Sequence, residues 1–298
     1  MPKWIVVGGD GLIGNHLADW SGRVAAQILV TTRRRGGKDG RLFVDLDGEG
    51  VGHIVSAGAD VIFLCAAMTN MRACQDAPEL SYRINVSATV GLAERLIEQG
   101  AFVIFLSSNA VFAGTIPWPH EEQVCSPTCE YGGQKAGAEQ LLLALPGAAD
   151  RMAIVRLSKV LSPNAGIAAE FLRRMRSQAR CDAFEDVRMS PISLRYVANG
   201  LYAIASRKLP GIFHLSGTEE LSYGQFASRL ANCLGADARL IHRVSSVQAG
   251  VDVVFRPRHP GLGMGRTTSL LGISPEPLDE LLLEISRTKD RDDSFVQS

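Results

Sequence analysis

No apolar run in the sequence approaches the roughly 20 residues that a bilayer-spanning helix requires, so a helical membrane anchor is not expected. An excess of charge is also missing: 31 lysines and arginines face 31 aspartates and glutamates. Binders of nucleic acid or of membrane surfaces usually carry a basic excess, so neither partner is expected. The six cysteines, at 65, 74, 125, 129, 181 and 233, lack the spacing of a disulfide framework. They read as reduced thiols of a cytoplasmic protein. Cys125 and Cys129 have no second pair to complete four ligands, so no metal site is expected. No cleavage site follows Met1-Pro2-Lys3-Trp4, which runs straight into Ile5-Val6-Val7 and reads as a first core strand without a signal peptide. Repeats and low-complexity linkers are absent as well.

What is present is apolar content, 46% of 298 residues, enough for one large α/β domain or a nucleotide-binding domain with a satellite. Short apolar runs at 4–7, 27–31, 41–44, 60–65, 102–107 and 152–156 alternate only weakly, as strands buried on both faces do. Helical patterns at 12–20, 79–99 and 132–145 lie between them, which predicts a parallel sheet with right-handed crossovers. After about residue 160 the regularity decays. Helices are expected at 167–180, 194–206, 221–234 and 277–287, a strand at 211–216, and a frayed tail at 288–298.

The first strand runs into Gly8-Gly9-Asp10-Gly11-Leu12-Ile13-Gly14. Glycines there permit a tight turn and let the backbone approach a pyrophosphate on the following helix N-terminus. Between a strand and a helix, the pattern points to dinucleotide binding at Gly8, Gly11, Leu12 and Ile13. NAD-selective sites place an acid at the end of the second strand, but here Thr31-Thr32-Arg33-Arg34-Arg35 carries none before Asp39. Arg33 and Arg34 suit the extra phosphate of NADP, with NAD as the alternative.

Strand five ends in Ser107-Ser108, where ligands bind in open α/β sheets, and Tyr131 precedes Lys135 by four residues, placing both on one helix face. A lysine beside a phenol favours the phenolate and tunes tyrosine for proton transfer. With the glycine turn, this set resembles the extended short-chain dehydrogenases, and among them the dTDP-4-dehydrorhamnose reductase group. The likeness is carried by 8–17, 65–69, 78–86, 106–114, 131–139 and 154–160, and more weakly by 190–193, 211–217 and 256–257.

The resemblance implies a doubly wound parallel-sheet Rossmann domain, 1–160 and completed by about 190–215. A smaller interleaved α/β substrate lobe would take 161–189 and 216–298. It further implies that Ser108 polarises a ketone, Tyr131 donates the proton, and Lys135 holds the nicotinamide ribose. Ser107, Asp45, Leu46, Cys65, Ala66 and Ala67 would border the dinucleotide, and Asn85 reads as a buried packing group. The implied substrate is a keto group on a nucleotide-activated deoxysugar, in a protein that could be a homodimer. Two alternatives stay open: an epimerase or dehydratase that retains its cofactor, and a non-catalytic NADP-binding regulatory subunit. Departures concentrate near the sugar. Asn109-Ala110-Val111-Phe112 stands for the group's Asp-Tyr-Val-Phe, Lys159 for a tryptophan, and Arg195 for an aspartate. Trp118 is a candidate replacement aromatic. Lys159, if it faces the cleft, suggests an acidic or strongly polar substituent. Of Arg173, Arg174, Arg176, Arg188 and Arg256, one or two are expected to meet the diphosphate.

Overall fold

The structure, a computed structural model, describes residues 1–19, 26–35 and 40–288. The expected helix end at Trp20, the acid Asp39 and the tail beyond Thr288 lie outside the described residues.

Seven parallel strands form the central sheet: β1 (Lys3–Val7), β2 (Gln27–Thr32), β3 (Leu42–Phe43), β4 (Val61–Leu64), β5 (Phe102–Ser108), β6 (Met152–Leu157) and β11 (Gly211–Leu215). Their spatial order is β11-β6-β5-β4-β1-β2-β3, the reversal beside β1 marking a doubly wound sheet. Alternate residues of each strand enter different cores. Trp4, Val6, Phe63 and Ile104 pack against Val197, Leu201 and Ile204 of the helix Leu194–Arg207. Ile5, Val7, Ile62 and Phe105 pack against Leu92 and Leu96 of Thr89–Glu98 and Leu142 of Glu130–Leu143. Each such side chain contributes about 1.5–3 kcal/mol by leaving water. Covered on both faces, the strands need no polar alternation, which is why the sequence shows so little.

Beyond β6 the chain makes three small strand pairs. They join β7 (Lys159–Leu161) to β10 (Pro191–Ser193), β9 (Arg188–Met189) to β12 (Leu221–Ser222), and β8 (Cys181–Phe184) to β13 (Ile241–Val244). A third core, including Phe171, Leu172, Met175, Phe226, Leu230 and Leu282, ties these pairs to the helices Gly166–Arg176, Tyr223–Leu234 and Leu278–Arg287. No helix of the described residues is long and apolar enough to cross a membrane.

Two expectations need correction. The single helix at 79–99 is three segments, Pro78–Tyr82, a π-helical turn Arg83–Ala88, and Thr89–Glu98. Asn85 occupies the wide turn. Its side chain accepts from the Met68 amide at 2.7 Å and donates to Gln134 Oε1 at 2.8 Å, and π-turns commonly aim such a group inward. The helix expected to 180 stops at Arg176, because Gln178 adopts a left-handed φ of 54°.

A buried polar knot joins Glu130–Leu143 to β6 and β11. Arg156, on β6, donates to Glu139 at 2.7 Å and to the Glu121 carbonyl at 3.0 Å, and its Nη1 lies 3.2 Å from His214 Nε2. His214 Nδ1 lies 2.8 Å from the Gly263 carbonyl, so the imidazole donates there and accepts from arginine as a neutral ring. Burial first, and then the Arg156 charge, hold its pKa down at about 3, against 6.5 for an ordinary histidine. Between those values the unfolded chain binds a proton that the folded one refuses. Stability from this group is therefore complete above pH 6.5 and is lost as pH falls toward 3, at up to about 1.4 kcal/mol per pH unit. Melting temperatures measured from pH 7 to 4 should fall more steeply for wild type than for His214→Gln. Parallel curves would remove the histidine from this role.

Candidate active site

The carboxyl ends of β1, β2, β4, β5 and β6 open into one cleft of about 810 Å³, within the usual range for ligand sites. At its floor the glycine turn folds tightly. The Gly11 amide donates to the Gly8 carbonyl at 3.1 Å, and the Gly9 amide to the Thr31 carbonyl at 2.9 Å. Gly8 has φ +96°, and a Cβ there would lie 2.5 Å from the Ala66 amide nitrogen. A Cβ on Gly14 would lie 2.2 Å from the Gly8 carbonyl. Gly11, the N-cap of the helix Leu12–Ala18, meets nothing nearer than 3.4 Å and leaves the helix N-terminus open to the cleft. These are the features an anionic pyrophosphate requires.

Leu12 and Ile13 line the same floor, Asp45 and Leu46 one side of it, and Cys65, Ala66 and Ala67 the edge of β4. Arg33 lines the cleft. Arg34 does not: its amide donates to Thr32 Oγ1, and its side chain is no part of the lining. An acid does reach the end of β2, from the glycine turn itself. Asp10 accepts from Thr32 Oγ1 and from the Arg33 amide, both at 2.9 Å, with Arg41 at 3.7 Å. Partial burial opposes its charge, but those hydrogen bonds and the Arg34 and Arg41 cations keep its pKa below the ordinary value. Sequence reading looked for the acid on β2 and missed that a turn residue could supply it.

Ser108 ends β5, where its Oγ accepts from the Ala110 amide at 3.1 Å. Tyr131 and Lys135 stand one turn apart on Glu130–Leu143 and face the cleft beside it. Gly132 lets this helix approach the turn Asn109–Val111 that follows β5, since a Cβ there would lie 2.1 Å from the Ala110 carbonyl. Burial pushes the Tyr131 phenol up, and a hydrogen bond from Ser108 acts against it. Lys135 donates to the Leu106 carbonyl at 2.8 Å, with its Nζ 4.3 Å from the centre of the Phe105 ring and 6.0 Å from that of Tyr131. Burial brings its pKa down to about 8, so it remains a cation at neutral pH. Three polar atoms of the lining, Ser107 Oγ, Ser158 Oγ and Arg188 Nε, have no hydrogen-bond partner. Such buried donors usually await a ligand or water.

Residues 3–288 match the family model described as RmlD substrate binding domain. The chain belongs to the RmlD family. A dTDP-4-dehydrorhamnose reductase of Mycobacterium tuberculosis is 27% identical over 257 residues, 83% of this chain and 80% of the relative. Methionine adenosyltransferase 2 subunit beta of Pongo abelii is 26% identical over 235 residues, covering 76% of this chain and 69% of that one. Among solved structures, dTDP-4-dehydrorhamnose reductase of Bacillus anthracis in complex with NADP superposes with a TM-score of 0.82 at 20% identity, over 95% of this chain and 97% of the other. That likeness confirms the doubly wound fold.

The departures from the RmlD pattern sort by position. Lys159 faces the cleft, exposed on the wall next to Ser158. Ala110 is buried behind the lining, among Cys74, Tyr131 and Phe255. Trp118 is not in the cleft and packs on Gly261, so it replaces no aromatic there. Arg195 pairs with Glu284 at 2.9 Å, away from the site. Of the five arginines offered for a diphosphate, Arg188 alone lines the cleft. Arg173 and Arg174 pair with Glu170, and Arg256 with Asp186. Sequence reading missed the segment 252–255, whose Val253, Val254 and Phe255 line the cleft. It carries no periodic signal by which to find it.

Proposed function

We propose that the chain is an NADP-dependent reductase of a keto group on a nucleotide-activated deoxysugar. One observation carries the reading: Ser108, Tyr131 and Lys135 converge on the wall of the same cleft whose floor is the glycine turn. Gly8, Gly11, Leu12 and Ile13 would hold the pyrophosphate, Asp45 and Leu46 the adenosine side, and Cys65, Ala66, Ala67 and Ser107 the path toward nicotinamide. NADPH, when bound, supplies hydride. The Ser108 hydroxyl would hold the substrate carbonyl oxygen, and the Tyr131 hydroxyl would give that oxygen its proton. The Lys135 cation lies 6.0 Å from the centre of the Tyr131 ring and would favour a developing phenolate. Lys135 thereby offsets part of the burial that holds the Tyr131 proton. Met189 and Tyr223, which belong to the third core, line the same cleft and would border the sugar and its diphosphate.

Arg33 carries the expected choice of NADPH over NADH, because Arg41 and its hydrogen bonds already engage Asp10. A charge-assisted contact contributes about 1.5–3 kcal/mol, so NADPH should bind at least tenfold more tightly. In Arg33→Ala that margin should collapse. Fluorescence titration of both cofactors decides it, and equal dissociation constants in wild type would remove the arginine from this role.

The methionine adenosyltransferase subunit among the relatives supports a second reading, an NADP-binding subunit without redox turnover. A third, epimerisation with retained nicotinamide, separates by exhaustive dialysis. The reductase should lose its cofactor and consume added NADPH with a keto-sugar, whereas an epimerase should keep its nicotinamide and a subunit should consume none.

A further inference from the structure

We propose that Lys159 and Arg188 form a subsite for a carboxylate on the sugar ring, so that the substrate is an acidic nucleotide sugar. The inference rests on the nucleotide-sugar reading and adds the charge of the ring. Position is the first support. Leu157 pairs with Ser108 across β5 and β6, and Lys159 follows two residues on, roughly 8 Å away at ordinary strand spacing. The Lys159 amide donates to the Ser190 carbonyl at 3.0 Å, which places Arg188, two residues earlier, on the next segment outward. Both side chains line the cleft beyond Ser108, with Lys159 opposite Pro191 in the β7–β10 register and Arg188 three residues before that partner.

Charge is the second support. Lys159 has no ion-pair partner among the described residues, although most surface arginines of this protein have one. Arg188 gives one bond, from Nη2 to the Glu220 carbonyl at 3.1 Å, while its buried Nε has no partner. Asp10 and Asp45 border the opposite, dinucleotide half of the cleft. Among the described residues of the lining, Asp252 is the remaining carboxylate, and it already pairs with Arg72. A wall with two unneutralised cations and an orphaned guanidinium donor fits a planar carboxylate, which can accept from both. An apolar substituent at that point would leave the buried Arg188 Nε unpaired.

The test compares UDP-glucuronate with UDP-glucose, and the corresponding dTDP pair, by calorimetric titration into the NADPH-loaded protein. Within each pair the nucleotide and diphosphate cancel, and only the carboxylate differs. Wild type should bind the acid about ten- to hundredfold more tightly than its neutral partner, the range expected for a charge-assisted contact. Lys159→Met should bring that ratio to within about threefold, and Lys159→Arg should preserve it. Lys159 is exposed, so the variants should fold, and their unchanged NADPH titration would verify it. Equal binding of acid and neutral sugar by wild type would overturn the subsite and leave the keto-sugar reading standing. So would a loss in Lys159→Met that is the same for both members of a pair, since the lysine would then serve the diphosphate. Failure of both pairs to bind at all would remove the nucleotide-sugar reading and the subsite with it.

Discussion

Tyr131→Phe should lower kcat by ~100- to 10,000-fold while NADPH still binds with nearly its wild-type constant. The substitution removes one oxygen from a buried ring and leaves the packing of Tyr131 against Cys74 and Ala110 in place. Lys135 keeps its bond to the Leu106 carbonyl, which does not involve the phenol. A loss confined to kcat therefore reports the proton and not the fold. Steady-state kinetics with a keto-sugar substrate measure it, and retention of more than about a third of wild-type kcat would assign the proton to another group. Lys135 adds a pH signature. Its cation is present below about pH 8 and lost above, so kcat/KM for NADPH, which reports the free enzyme, should decline on the alkaline side.

Glu139→Leu should destabilise the protein by about 3–5 kcal/mol in urea unfolding, because it strands a buried guanidinium. Both side chains of the Arg156–Glu139 pair are only 3% exposed, and their contact is bidentate. The effect should reach the active site as well. Tyr131, Lys135 and Glu139 are spaced by four along one helix, so the same face carries the two residues that line the cleft and the anchor that fixes them to β6. The charge of Glu139 also acts to raise the Lys135 pKa against burial, and its loss should shift the alkaline limb to lower pH. Arg156→Met combined with Glu139→Leu should cost less than the two single changes summed, since no lone charge remains. A single-variant loss under about 1 kcal/mol would show that Arg156 finds other partners.

The central strands were legible because burial on both faces leaves continuous apolar runs, and the glycine turn because backbone closeness demands glycine at Gly8 and Gly14. Tyr131 and Lys135 could be found by their spacing, and Glu139 continued that spacing without being noticed. Its partner Arg156 sits inside an apolar strand, where one arginine looks like noise until the fold shows what it faces. The π-turn at Asn85 was invisible because its cause is tertiary: the loop at Met68 and the helix at Gln134 draw the amide inward. The basic run 173–176 looked like a phosphate clamp, yet Glu170 lies three and four residues earlier and pairs with two of its members. That pairing was written in the sequence, and helical spacing alone would have disqualified them.

The most direct measurement is NADPH oxidation followed spectrophotometrically, with product analysis, over a panel of neutral and acidic 4-keto nucleotide sugars. Wild-type protein should oxidise NADPH in equal amount to the hydroxyl product formed from at least one of them, and Tyr131→Phe should abolish most of that signal. A protein that binds NADPH tightly yet oxidises none with any sugar in the panel would contradict the reductase reading.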